Sequence, residues 1–205
     1  MLDENGLEAA LQQIEPRTLE GPFSRCIAFH FLVSKPEPPS SSAPPQPLWG
    51  MGSKRFGGRF TPRESFETIY LAEDPVTALA EVAAIIRSTP GASLALQKQP
   101  WVLVTVQGLL QRVLDLADLA VVSRLGSSQS ELAGEWRYTQ EQAGEAPTQL
   151  LGRVCHRTGL FDGIQFPSTK NSPDGMCVAV FPERLKAPAF LEVYDPNGHL
   201  AQRLP

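Results

Sequence analysis

The sequence predicts a single α+β domain, and three observations carry that prediction. Strand-like and helix-like runs are mixed along the chain without the regular alternation that marks a doubly wound sheet. Hydrophobic residues make up 42% of the 205 and charged residues 20%, enough apolar surface for one sizeable core. A single stretch, residues 34–47 (SKPEPPSSSAPPQP), is too rich in proline and serine to pack, and it reads as an exposed loop.

The elements follow in order. Gly6 to Ile14 makes a short amphipathic helix, with Leu7, Ala10, Leu11 and Ile14 on one side. Arg25 to Val33 (RCIAFHFLV) is a core strand, and Thr68 to Ala72 a second one by its β-branched and aromatic content. Asp74 offers an N-cap and Pro75 a first helical position, starting a helix that runs to about Arg87. Trp101 to Leu110 and Val113 to Leu116 read as two strands, and Ala117 to Leu125 as a helix closed by Gly126. Pro147 to Thr158 is a further helix, with proline at its start and Gly159 past its end. Gly163 to Phe166, Met176 to Phe181 and Phe190 to Tyr194 complete the strands.

Composition excludes several function classes. The formal net charge of −4, with basic residues scattered, argues against a nucleic-acid surface, which needs clustered Lys and Arg. The densest basic group, Lys54, Arg55, Arg59 and Arg63, suits one small anion better than a polymer. Cys26, Cys155 and Cys177 are too dispersed for a disulfide framework or a metal site and read as reduced thiols of a cytosolic protein. His30, His156 and His199 lack metal-ligand spacing, and Cys155 and His156, adjacent on a helix, face different directions. No apolar run is long enough to span a bilayer, and the acidic N-terminus is no signal peptide.

Three motifs could carry chemistry. Glu81 is a lone carboxylate in VTALAEVAAIIR, roughly opposite a face of Leu79, Val82, Ala83 and Ile86. Either it pairs with a neighbour such as Arg87 on the surface, or it is partly desolvated and opens onto a cleft. Gly57-Gly58-Arg59 combines backbone freedom and close approach with a guanidinium fork for diphosphate or carboxylate, or else is a turn with a surface arginine. Ser168, in FPS directly after a strand, can aim a hydroxyl into a site or serve as a turn hydroxyl; it lacks the GxSxG context of a hydrolase nucleophile. Trp49, Trp101 and Trp136 are core or site-rim aromatics.

Taken together, GGRF, TIYLAEDPVTALAEV and FDGIQFPS followed by MCVAVF resemble the RES domain family, which includes toxins of bacterial toxin–antitoxin pairs. The family's arginine, tyrosine, glutamate and serine match Arg59, Tyr70, Glu81 and Ser168, the first three at eleven-residue intervals. Phe60 and Thr61 stand where the family commonly has Trp and Asn, and Phe166 where it has Tyr. The likeness covers about Trp49 to Phe181 and implies a fold similar to ADP-ribosyltransferase toxins. On it, residues 1–24 are an N-terminal arm and 25–205 the RES-like NAD-binding catalytic domain.

The resemblance also implies a chemistry: degradation of NAD at its nicotinamide–ribose bond by phosphorolysis or hydrolysis. NAD is then substrate, inorganic phosphate a co-substrate, and no prosthetic group is needed. Glu81 would stabilise positive charge on the ribose, and Arg59, with Gly57 and Gly58, would hold diphosphate or phosphate. Tyr70 would stack on nicotinamide or ribose, and Ser168 would hydrogen-bond ribose or carboxamide. A helix-turn-helix (Xre-type) antitoxin occluding the cleft is the implied partner, in the cytoplasm. Transfer of ADP-ribose to a macromolecule by the same cleft, and non-catalytic nucleotide or partner binding, are the alternatives.

Overall fold

Strand pairing, more than any helix, sets the shape of this protein. The computed structural model describes residues 1–32, 45–88 and 100–205, with backbone alone for 84–88. Residues 34–44 of the Pro/Ser-rich stretch, Val33, and the side chains of Ile85, Ile86 and Arg87 lie outside the described residues.

Eight described strands form one mixed sheet: β1 (Arg17–Glu20), β2 (Phe23–Ala28), β3 (Ile69–Ala72), β4 (Trp101–Asp115), β5 (Gly163–Pro167), β6 (Met176–Val180), β7 (Phe190–Val193) and β8 (Arg203–Leu204). Their order is β2-β3-β6-β5-β4-β7-β8. Because β2 also pairs with β4 along Phe23–Ala28, the strands β2, β3, β6, β5 and β4 close on themselves. Only β4 and β5 run parallel. The predicted strand at Arg25 therefore begins two residues earlier and ends at Ala28, where the chain turns into α2 (Phe29–Leu32).

The two strands expected at Trp101–Leu110 and Val113–Leu116 are one continuous strand. Buried Asp162 explains the continuity: its carboxylate accepts the backbone N–H groups of Gln111 (3.0 Å) and Arg112 (2.9 Å). The same carboxylate receives the Arg112 guanidinium at 2.6 Å, so a polar interruption is satisfied within the sheet rather than ending it. β4 is long enough to be shared. Its first half pairs with β2 and its second with β1 and β5, while β7 pairs at the middle.

The helices, numbered along the chain, are α1 (Glu4–Leu11), α2, α3 (Met51–Phe56), α4 (Pro75–Ser88), α5 (Leu119–Arg124), α6 (Gln129–Leu132), α7 (Trp136–Glu141) and α8 (Pro147–Thr158). Proline opens α8, and Gly159 closes it at φ 65°, a left-handed conformation that only glycine takes at no steric cost. Strand alternation then divides the core. Ile69, Leu71, Val178 and Val180 face one cluster with Phe23, Val104 and Leu191. Ala72, Ala179, Ile164 and Phe166 face the other, which α1, α5 and α8 cover with Leu7, Leu11, Leu125, Leu151 and Val154. The α1–α8 contact is tied outside by Arg157 to Glu4 and Glu8.

Candidate active site

A cavity of about 440 Å³ opens beside the closed strand ring, between β2, β3, α4, the turn after α3, and α7. Its volume lies in the range typical of small-ligand pockets. Arg59, Tyr70 and Glu81 all line it, as do Gly57 and Gly58, so three of the four polar residues singled out by sequence share one cleft. Ser168 is the fourth. It stands directly behind Glu81, 3% exposed, with its hydroxyl donating to Glu81 Oε1 at 2.7 Å.

The geometry around Ser168 fixes its proton. The hydroxyl oxygen accepts the backbone N–H groups of Lys170 and Asn171, both at 3.1 Å. With its acceptor capacity taken, the hydroxyl can only donate, and Glu81 is the acceptor in reach. This arrangement keeps one carboxylate oxygen oriented and disfavours a nucleophilic role for the serine. Neighbouring contacts hold the loop to α4: Asn171 Nδ2 donates to Thr77 Oγ1 at 2.8 Å, and Thr77 in turn donates to Asp74, whose carboxylate also caps the helix.

The face of α4 turned inward differs from the one that hydrophobicity predicts. Thr77, Ala78 and Val82 are buried and Glu81 is half-buried, whereas Leu79 and Val76 are 50% and 64% exposed. The helix is thus rotated so that an i, i+4 pair of polar residues, Thr77 and Glu81, meets the loop carrying Ser168 and Asn171. Satisfying those buried polar groups outweighs burying two exposed aliphatic side chains.

Tyr70 is a structural anchor as well as a wall. Its hydroxyl accepts the Phe60 N–H at 2.9 Å and lies 3.1 Å from Thr61 Oγ1. Burial pushes its phenol up to about 12, so it stays neutral at physiological pH. The two glycines are explained by what they touch. A Cβ at Gly58 would stand 2.5 Å from the Tyr70 hydroxyl, and Gly57 adopts φ 78° with the Gln140 amide against it. Arg59 leaves this turn with Nη1 donating to Leu132 O at 2.5 Å and Nη2 near Thr169 Oγ1 at 3.4 Å. Phe60 and Phe166 pack together, ring centroids 4.8 Å apart.

Sequence reasoning missed several wall residues. Arg25 donates to Pro47 O (2.7 Å) and Trp49 O (2.8 Å), and burial pulls its guanidinium down to about 10. A lone cation in the apolar run RCIAF is the signal that could have marked it. Arg137 on α7 lines the cleft with no such signal, since WRYTQE has no apolar period. Lys170 adds a fourth positive charge to those of Arg25, Arg59 and Arg137, in a cavity that also holds Glu81 and Glu135. All three tryptophans line the cavity. The cysteines are unpaired thiols, with Cys155 and Cys177 buried. Among the described residues no cluster of His, Cys, Asp and Glu could hold a metal ion, and no helix is long and apolar enough to cross a membrane.

The sheet and the helices around it set the fold class, and comparison with known proteins supplies the family. The RES domain family matches residues 37–201, and the chain belongs to that family. Its fold is similar to a chain of the crystal structure of the M. tuberculosis MbcT–MbcA toxin–antitoxin complex, with a TM-score of 0.65 at 18% identity. That likeness covers 93% of this chain and 90% of the other. No curated protein matches the sequence.

Proposed function

We propose that this protein degrades NAD by breaking the nicotinamide–ribose bond, as the toxin of a toxin–antitoxin pair acting on the cytoplasmic NAD pool. The observation that carries the reading is Glu81, a carboxylate in the cavity wall with one oxygen held by the Ser168 hydroxyl. Cleavage of the N-glycosidic bond builds positive charge on the ribose, as glycoside hydrolysis does on its sugar. A fixed carboxylate aimed at that charge lowers the barrier without reorganising. Arg59 binds the diphosphate or an incoming phosphate and positions it rather than reacting. The neutral Tyr70 ring gives nicotinamide or ribose a flat surface.

Membership of the RES family supports this reading, and the likeness to a chain of a toxin–antitoxin complex supports a protein partner. Exposed Phe56 and Tyr138, chain neighbours of the lining residues Gly57 and Arg137, offer apolar surface beside the cleft for a helix-turn-helix antitoxin that occludes it. The test is to incubate purified protein with NAD, with and without inorganic phosphate, and to resolve the products. Free nicotinamide with ADP-ribose or its 1-phosphate is expected, and it disappears in Glu81→Ala. Persistence of NAD under both conditions, or an undiminished rate in the variant, overturns the mechanism; radiolabel carried onto protein would indicate ADP-ribosyl transfer instead.

A further inference from the structure

Arg137 is the guanidinium of the cleft that the protein does not itself employ. The other arginines of the site have occupations: Arg25 holds the carbonyls of Pro47 and Trp49, and Arg59 holds that of Leu132. Arg137 lines the same cavity, yet among the described residues it makes no hydrogen bond and no ion pair. What fixes it is stacking, with the guanidinium 4.6 Å from the centroid of the Trp136 ring. Its whole fork of N–H donors is therefore available to a ligand.

Such a group is costly to half-bury without an anion. Burial holds Arg137 below the usual arginine range, and Arg59 pushes the same way, while Glu135, Glu141 and Glu81 oppose. The element that carries it is braced. Gln140 on α7 donates to Phe56 O at 3.1 Å and accepts from the buried Gln149 amide at 2.8 Å, which ties α7 to both the glycine turn and α8. A stacked, braced and unoccupied fork is pre-organised for a planar, bidentate oxyanion partner.

We propose that Arg137 binds the diphosphate of the ligand together with Arg59, an assignment that rests on the NAD reading of the cleft. Two guanidiniums lining one cavity repel each other, and a diphosphate between them turns that repulsion into attraction on both sides. The carboxylate of Glu81 repels the same diphosphate. Orientation follows from these opposite signs: the anionic middle of the dinucleotide lies toward Arg59 and Arg137, leaving the nicotinamide ribose to Glu81. Arg137 is on this account a substrate-binding residue that acts equally on ground state and transition state.

The test compares wild type with Arg137→Ala and Arg137→Lys, by calorimetric titration with ADP-ribose and with inorganic pyrophosphate and by steady-state NAD turnover. Loss of charged hydrogen bonds to diphosphate is expected to weaken ADP-ribose and raise KM for NAD by roughly 10- to 100-fold in Arg137→Ala, with kcat little changed. Lysine should restore part of the affinity, since it keeps the charge and loses the fork. On nicotinamide riboside, which has no diphosphate, the variants should equal wild type. Undiminished ADP-ribose affinity in a folded Arg137→Ala protein, or a defect just as large on nicotinamide riboside, overturns the proposal. If wild type binds ADP-ribose through Arg137 but spares NAD, it is the cleavage reading that fails.

Discussion

Helices α4 and α8 begin alike and end up doing opposite things. Both open on proline, and both carry apolar residues at helical spacing. In α8 the apolar pattern is obeyed beyond the first turn, which buries Thr148 and Gln149: Leu151, Val154 and Cys155 are fully buried, and Arg153 and Arg157 face outward in ion pairs. In the described part of α4 it is overridden, with Val76 and Leu79 exposed and Thr77 turned inward beside Glu81, although Val82 stays buried. A helix that obeys its pattern is there to build the core. One that violates it, at a cost in unburied aliphatic surface, is held by something other than the core, here the polar loop from Ser168 to Asn171.

If that contrast is right, damage to the two helices should separate activity from stability. Glu81→Gln is expected to reduce NAD turnover by roughly 10²–10³-fold, about 3–4 kcal/mol of transition-state stabilisation, with the unfolding midpoint unchanged. Leu151→Ala on α8 should do the reverse, costing about 3 kcal/mol in urea unfolding while turnover per folded molecule is retained. A turnover loss in Leu151→Ala as deep as in Glu81→Gln would break the comparison. Ser168→Ala sits between them. It leaves Glu81 without its donor and two amides without an acceptor, so about 1–2 kcal/mol should go from stability and roughly 10-fold from kcat. Smallest of all, Leu79→Lys should change stability by under ~0.5 kcal/mol and leave NAD turnover as it is. A large loss there would mean that the outward face of α4 is packed after all.

The same contrast explains what could be read from the chain. Helix α8 was legible at both ends, because proline and glycine there act through local backbone geometry. Strands β5 and β6 were legible because GIQF and MCVAV are short apolar runs with nowhere to go but the core. The four candidate residues were singled out through order and context in the family motif, not periodicity; on periodicity alone the inner face of α4 would be the one carrying Leu79. What stayed hidden depends on distant partners. Gln111 and Arg112 continue β4 only because Asp162, some fifty residues on, satisfies them. Arg137 became visible only when α7 folded back against the glycine turn.

The turn at Gly57-Gly58 has a consequence for how genetic data on this protein should be read. In a saturation scan for loss of the proposed NAD degradation, nearly every replacement of Gly58 would score as severely as those at Glu81, because a single added carbon strikes the hydroxyl of Tyr70 and dislodges the backbone that presents Arg59. Intolerance would then be a poor guide to chemistry. Adding a selection for cellular abundance distinguishes the two positions: Glu81 variants accumulate as inert, well-folded protein, and Gly58 variants thin out.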